Sequence, residues 1–185
     1  MTIINLEMTS PDQLVPGRPA PAPLILSEAG PDSAAVVRDL YNRIFPSVGG
    51  RATWSVTDWT AELTQPGIRT WIAHVDRGPE GSQNPAEPAG SAKLGPEPNG
   101  SELALEPVGF AELAPEPDGS VGIVVFGLVP ERRSKGYGAA FLTAITRIAW
   151  TLNTPTTRVW LQTSTRDHPH ALPNYQARGY RPFAP

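Results

Sequence analysis

The stretch VGIVVFGLVPERRSKGYGAAFLTAI, residues 121–145, decides the fold. Its first part, Val121 to Val129, is an unbroken apolar run and reads as a buried strand. Pro130 ends that strand, because proline supplies no N–H to a ladder. From Gly136 the apolar spacing changes to helical, with Phe141, Leu142, Ile145, Ile148, Ala149 and Leu152 on one face. Between strand and helix lie Arg132, Arg133, Ser134, Lys135, Gly136, Tyr137 and Gly138. Physically this is an anion site. The two glycines let backbone approach a ligand closely, and the first N–H groups of the new helix have no acceptor within it. Those N–H groups and the positive end of the helix dipole attract negative charge, to which the cations add. A pyrophosphate suits such a loop. Neither the Walker A spacing nor the dinucleotide Gly-x-Gly-x-x-Gly is present.

Working outward, Leu24 to Leu26 is a candidate first strand, and Gly30-Pro31-Asp32-Ser33 a helix start. Val37, Leu40, Tyr41 and Ile44 follow at helical spacing until Pro46. Ser55 to Leu63 reads as a second helix, stopped by Pro66-Gly67, and Ile68 to Val75 as a strand. Val108 to Leu113 and Val121 to Val129 form a hairpin across the turn at Pro117-Asp118-Gly119. After the long helix come a strand at Arg158 to Thr163 and a short helix at His170 to Arg178. Gly179 closes that helix, and a last strand runs from Tyr180 to Phe183. The order is an α/β pattern. Residues 1–23, Pro-rich and ending GRPAPAP, read as a flexible arm, and 24–185 as one domain.

Within that domain, EPAGSAKLGPEPNGS (87–101) matches EPVGFAELAPEPDGS (106–120) at 10 of 15 positions. Two copies are too few for a solenoid, so an in-frame duplication is the simpler account. The second copy leads through a tight turn into the strand at 121–129 and takes the hairpin place. The first copy has Ser91 where the second has Phe110, and it carries more proline. Residues 79–105 are therefore expected to be a peripheral insert.

The chain has 185 residues and no cysteine, which excludes a disulfide scaffold, a thiolate zinc site and a cysteine nucleophile. No apolar run reaches membrane-spanning length and no signal peptide is visible, so a cytoplasmic location without a membrane partner is expected. Residues 78–119 carry net charge −7 and residues 120–185 net +6. The positive third suits an anionic ligand. Its cations are not interleaved with aromatics along a stripe, which argues against nucleic acid. His74, His168 and His170 lack metal-ligand spacing, so no metal is expected.

Arg133-x-x-Gly136-x-Gly138 between strand and helix resembles the acyl-CoA signature of the GNAT N-acetyltransferase superfamily. So do the later strand and helix, ending Asn174-Tyr175-Gln176-Ala177-Arg178-Gly179-Tyr180. The resemblance covers about 24–185 apart from the insert. It implies a mixed, mostly antiparallel central sheet of about six strands, splayed between the fourth and fifth and flanked by about four helices. It implies acetyl-CoA as donor and a primary amine, of a small molecule, as acceptor. Backbone N–H groups of Arg133, Ser134, Lys135, Gly136, Tyr137 and Gly138 would cradle the pyrophosphate. Leu128 and Val129 would offer backbone groups to the pantetheine arm and the thioester carbonyl. Tyr175 matches the tyrosine that protonates the departing thiolate. The alternatives are a non-catalytic acetyl-CoA-binding regulatory module and a protein N-acetyltransferase; a homodimer is compatible with any of them.

The chain departs from the family at three points. The strand at 121–129 has no carboxylate to act as base, His168 stands where relatives have Asn, and a full seventh strand is missing. His168 is a candidate base or cofactor contact, with a cap on the last helix as the structural reading. Trp54, Trp59 and Trp71 read as core rather than acceptor pocket, and Asp32, Asp58 and Glu62 as exposed helix acids. Removing Glu87 to Leu105, one repeat unit, is expected to leave a folded protein that still binds acetyl-CoA. Circular dichroism and calorimetry check this; an unfolded product would assign the strand to the wrong copy.

Overall fold

The protein was analysed as a computed structural model, which describes residues 2–46, 50–76, 104–165 and 167–184. Among the described residues there are seven strands: β1 (Ile3–Met8), β2 (Leu24–Glu28), β3 (Arg69–Asp76), β4 (Leu105–Pro115), β5 (Ser120–Leu128), β6 (Arg158–Ser164) and β7 (Arg181–Pro182). Four α-helices join them: α1 (Ala34–Ile44), α2 (Val56–Leu63), α3 (Tyr137–Ala149) and α4 (Ala171–Ala177). The strands lie in the order β2-β3-β4-β5-β6-β1-β7. Every neighbouring pair is antiparallel except β5 with β6. The α/β class, the mixed sheet and the four helices match the sequence reading. The second repeat copy occupies β4, as expected; the first copy lies in 77–103, outside the described residues.

The expectation of a flexible arm at 1–23 is overturned. Alternation in Ile3–Met8 puts Leu6 and Met8 into the core, and β1 pairs along β6 from Ile3 opposite Ser164 to Met8 opposite Val159. β1 thus takes a place inside the sheet, between β6 and β7. Residues 9–23 then run as a strap over the helices. Val15 donates its N–H to the Arg178 carbonyl, and Gly17 donates its own to Thr143 Oγ1 at 2.9 Å. Gly17 lies so close to Ala139 that a Cβ there would come within 2.7 Å of the alanine methyl. Proline richness marks this segment as stiff and extended, and it is anchored by contacts that no local pattern announces.

Strand alternation assigns the helices to faces. Phe110 on β4 lies opposite Gly127 on β5, and its ring meets those of Tyr41 on α1 and Trp59 on α2. Phe126, one residue along, points to the other face and stacks on Phe141 of α3 at 4.9 Å. Helices α1 and α2 therefore cover one face and α3 and α4 the other. The pairing of β4 with β5 slips between Glu112 and Leu113, which face Val125 and Ile123 and leave Val124 as an extra residue. Such a bulge bends its strand. The bend falls where the parallel pairing of β5 with β6 stops, at Ile123 opposite Leu161. Beyond that point the two strands part.

Glu112, in the middle of β4, is completely buried. Arg51 donates both contacts to it from one nitrogen, at 2.7 and 2.6 Å, and reaches Glu62 of α2 at 2.9 Å. Its guanidinium also lies over the rings of Trp54 and Trp59. Glu62, expected to be an exposed helix acid, is buried because Arg51 draws it inward. Trp59 is a core residue, as read from its spacing. Burial pushes the Glu112 carboxyl up from its ordinary range, although Arg51 pulls the other way.

A carboxyl raised by folding contributes stability below its unfolded value, and that contribution is lost as pH rises through the folded value. Removing Arg51 raises it further. Arg51→Met is therefore expected to lose roughly 3–5 kcal/mol at about pH 8 and clearly less at about pH 5. Urea unfolding at the two pH values checks this, and equal losses would contradict it.

Candidate functional site

The site is built around the end of β5. Val129 donates its N–H to the Val108 carbonyl at 2.9 Å and accepts from the Arg132 N–H at 3.0 Å. Both of its backbone groups are therefore engaged within the fold, which corrects the expectation that Val129 offers them to a ligand. Alternation turns the N–H groups of Phe126 and Leu128 the other way, toward the gap where β6 has departed. The Leu128 N–H faces the gap while its carbonyl accepts from Arg133, and Phe126, which the sequence reading did not name, faces the gap in the same way. Its apolar side chain drew attention away from its backbone.

The loop from β5 into α3 has the backbone of an anion cradle. Gly136 caps α3 in the left-handed region at φ 86°, and Ser134 takes φ 58°, uncommon for a residue with a Cβ. The first N–H groups of α3 open onto this loop. Pro21 of the strap stands 3.5 Å from where a Gly136 Cβ would be, so a side chain here would meet the strap as well as the loop.

Arg133 has a different task from the one expected of its charge. Its Nε donates to the Leu128 carbonyl at 3.0 Å and its Nη2 to the Ile44 carbonyl at 2.8 Å. The guanidinium ties the C-terminal end of α1 to the end of β5. Lys135 is exposed, while Tyr137 is buried, with the Arg132 guanidinium 5.7 Å from its ring.

One cavity of about 1080 Å³ joins the two faces of the sheet through the gap between β5 and β6. Arg133, Ser134, Gly136, Gly138, Leu128, Tyr175 and His168 all line it; Lys135, Tyr137 and Val129 do not. On the α3 side, Asn174 and Tyr175 project from α4, and Asn174 Nδ2 reaches the Gly138 carbonyl at 3.5 Å. The Tyr175 ring meets Phe126 edge-on. Burial, reinforced by the Asp167 charge, pushes its phenol above the ordinary range, so Tyr175 holds its proton at neutral pH.

His168 Nδ1 accepts the His170 N–H at 3.3 Å, and its carbonyl accepts the Ala171 N–H. The N-cap residue of α4 is His170, whose side chain makes no capping bond, so His168 holds the turn before the helix rather than capping it. With Nδ1 an acceptor, the ring hydrogen of the neutral form is assigned to Nε2. His170, weighed from the sequence only as a metal ligand, lines the cavity with its ring 5.1 Å from that of His168. Asp167 Oδ2 accepts from Thr163 Oγ1 and the Ser164 N–H, and Oδ1 from Ser164 Oγ. Among the described residues no group of His, Cys, Asp or Glu is arranged to hold a metal, and no helix is long and apolar enough to cross a membrane.

A parted parallel pair, a left-handed loop opening a helix, and a buried tyrosine across the gap meet at this one cavity. Residues 35–180 match the acetyltransferase (GNAT) family, and the chain belongs to it. No curated protein matches the chain.

Solved structures share the fold at low identity. A GCN5-related N-acetyltransferase from Kribbella flavida is 16% identical, with a TM-score of 0.56, and the match covers 98% of this chain and 56% of that one. The chain thus spans little more than half the length of that protein. The aminoglycoside N-acetyltransferase AAC(6')-Iy, in complex with CoA, is 15% identical with a TM-score of 0.52, over 89% of this chain and 91% of that one. NAA60 from Arabidopsis thaliana, in complex with a bisubstrate analogue, is 16% identical with a TM-score of 0.55, over 86% and 85%.

The loop's open N–H groups and left-handed residues fit a pyrophosphate, and the gap fits an extended arm. Gly136→Asp places a side chain in a left-handed position and a negative charge in the cradle. It is expected to weaken acetyl-CoA binding at least about 100-fold, roughly 2.7 kcal/mol, in calorimetry. Wild-type affinity in a folded variant would remove the loop from the site.

Proposed function

We propose that the chain is an N-acetyltransferase that passes the acetyl group of acetyl-CoA directly to the primary amine of a small molecule. The observation that carries this reading is the single cavity that links the left-handed loop, the open backbone edge of β5 and Tyr175. Acetyl-CoA, when bound, supplies the thioester. Ser134 to Gly138 hold its phosphates through backbone N–H groups, and the edge of β5 takes the arm as an added strand. The Leu128 and Phe126 N–H groups point at the gap, where an oxygen gaining negative charge is stabilised without reorganisation.

Bond changes balance without an acyl-enzyme. A nitrogen–carbon bond forms, a carbon–sulfur bond breaks, the amine loses a proton, and Tyr175 gives one to the sulfur. A phenol at its ordinary pKa of ~10 is a weaker acid than a thiol at ~8.5. Burial raises the pKa of Tyr175 further, so placement of its hydroxyl at the sulfur decides whether the proton moves. His168 Nδ1 is occupied by the His170 N–H and Asp167 holds the end of β6, which leaves His170 as the side chain on the cavity wall that takes the amine's proton.

Tyr175→Phe is expected to lower turnover roughly 10²–10⁴-fold with acetyl-CoA affinity unchanged. Thiol release and calorimetry on the same preparation read the two effects apart. An unchanged turnover number would make Tyr175 a packing residue. Acetyl-CoA binding without turnover of any amine in the wild type would favour the regulatory module.

A further inference from the structure

The half of the cavity across the sheet from the phosphate loop is where an acceptor must enter, and its walls have a distinct chemistry. Tyr41 and Ile44 of α1 and Phe45 just after it close it on one side, and Ile3 of β1 stands at its lip beside Ser164, half exposed at 50%. The Tyr41 and Phe45 rings lie 5.2 Å apart and tilted, forming a continuous aromatic surface. Gly127 contributes to this wall by having no side chain. A Cβ there would collide with Ile44, so the helix packs directly on the strand and the floor is hydrocarbon.

Charge on these walls is sparse among the described residues. Asp167 is the one carboxylate among the described lining residues, and both of its oxygens are taken by Thr163 and Ser164. Turning it toward a ligand would release the end of β6. Glu62 and Glu112, the buried acids on the α1 and α2 face, do not line the cavity and are both bonded to Arg51. Arg133 adds a positive charge to the lining. Beyond Asp167, which is committed to the end of β6, an ammonium placed here finds no carboxylate among the described lining residues, and an unpaired buried charge is costly. One amine is different. It must be neutral to attack, and apolar surroundings favour the neutral form by lowering its pKa. The same walls that reject a second or third ammonium prepare the first.

We propose that the acceptor is a monoamine carried on an apolar, ring-sized body, an arylalkylamine in chemical class, and not a polyamine or an aminosugar. This rests on the acetyltransferase reading and names its substrate. The Tyr41, Ile44 and Phe45 wall holds the body, and the amine reaches the gap beside Leu128.

The test uses the full chain with acetyl-CoA and measures thiol release with 2-phenylethylamine, tryptamine, spermidine, kanamycin and a short peptide with a free N-terminus. The two arylalkylamines are expected to show kcat/KM at least roughly tenfold above the other three. Phe45→Ala should raise KM for them with little change in kcat, the pattern of lost uniform binding. Ile3→Asp changes a half-exposed side chain and puts a free carboxylate at the lip. It should narrow the preference by improving spermidine. Wild-type preference for spermidine or kanamycin, turnover of the peptide alone, or no turnover of any amine while acetyl-CoA binds would each overturn the proposal. Calorimetry of acetyl-CoA with the wild type separates these from failure of the underlying reading: no binding would overturn the acetyltransferase assignment itself, and this proposal with it.

Discussion

The parting of β5 from β6 after Ile123 and Leu161 is the constraint on which the rest of the structure depends. Four residues of parallel pairing hold the strands together, and then each commits elsewhere. β5 keeps its ladder to β4 on one edge, through a bulge that bends it at Val124. β6 keeps its ladder to β1 along the opposite edge. Both strands are therefore satisfied on their outer sides, while their inner edges face each other across open space. Unpaired backbone groups in a sheet interior are unfavourable unless something else bonds them. A ligand with amide groups of its own, lying as a strand, is a physical answer to that deficit.

Three devices keep the gap from closing. Arg133 bridges the Leu128 and Ile44 carbonyls, so β5 ends where α1 ends. Asp167 ties together Thr163 and Ser164 at the far end of β6. The strap from β1 to β2 crosses α4 and α3 through Val15 and Gly17, and passes the cradle at Pro21. The aromatics at the end of α1, the loop into α3 and the N-terminal strand are thereby mechanically joined. On the other face, Arg51 with Glu62 and Glu112 pins α2 and its preceding turn to the middle of β4. That arrangement is a desolvated charge cluster, and removing one member leaves the others exposed to the full penalty of burial.

Much of this was legible in the sequence where one local pattern sufficed. The apolar run ending at Pro130 and the glycines before a helical face gave β5, the loop and α3. The turn at Asp118-Gly119 gave the hairpin, with Gly119 at φ 85° and Asp118 accepting the Ser120 N–H. Gly179 closes α4 at φ 100°. What escaped depends on partners far apart in the chain. β1 is a short alternation followed by prolines, and its place is set by β6 more than 150 residues away. Glu112 looks like a surface residue until its register beside Phe110 is known; a lone acid within VGFAELAP was the available signal. The task of Arg133 is invisible because carbonyl acceptors leave no mark on a sequence. Val129 was misjudged by one position, and in a strand one position reverses the direction of every backbone group.

The central claim is that an acyl-CoA arm completes the sheet along the open edge of β5. Amide hydrogen exchange in the presence and absence of acetyl-CoA tests it most directly. The account predicts new protection at Phe126 and Leu128 and across Ser134 to Gly138. It predicts little change at Val125, Gly127 and Val129, whose N–H groups already face β4. Protection confined to other segments, or equal protection of alternate residues along β5, would contradict it.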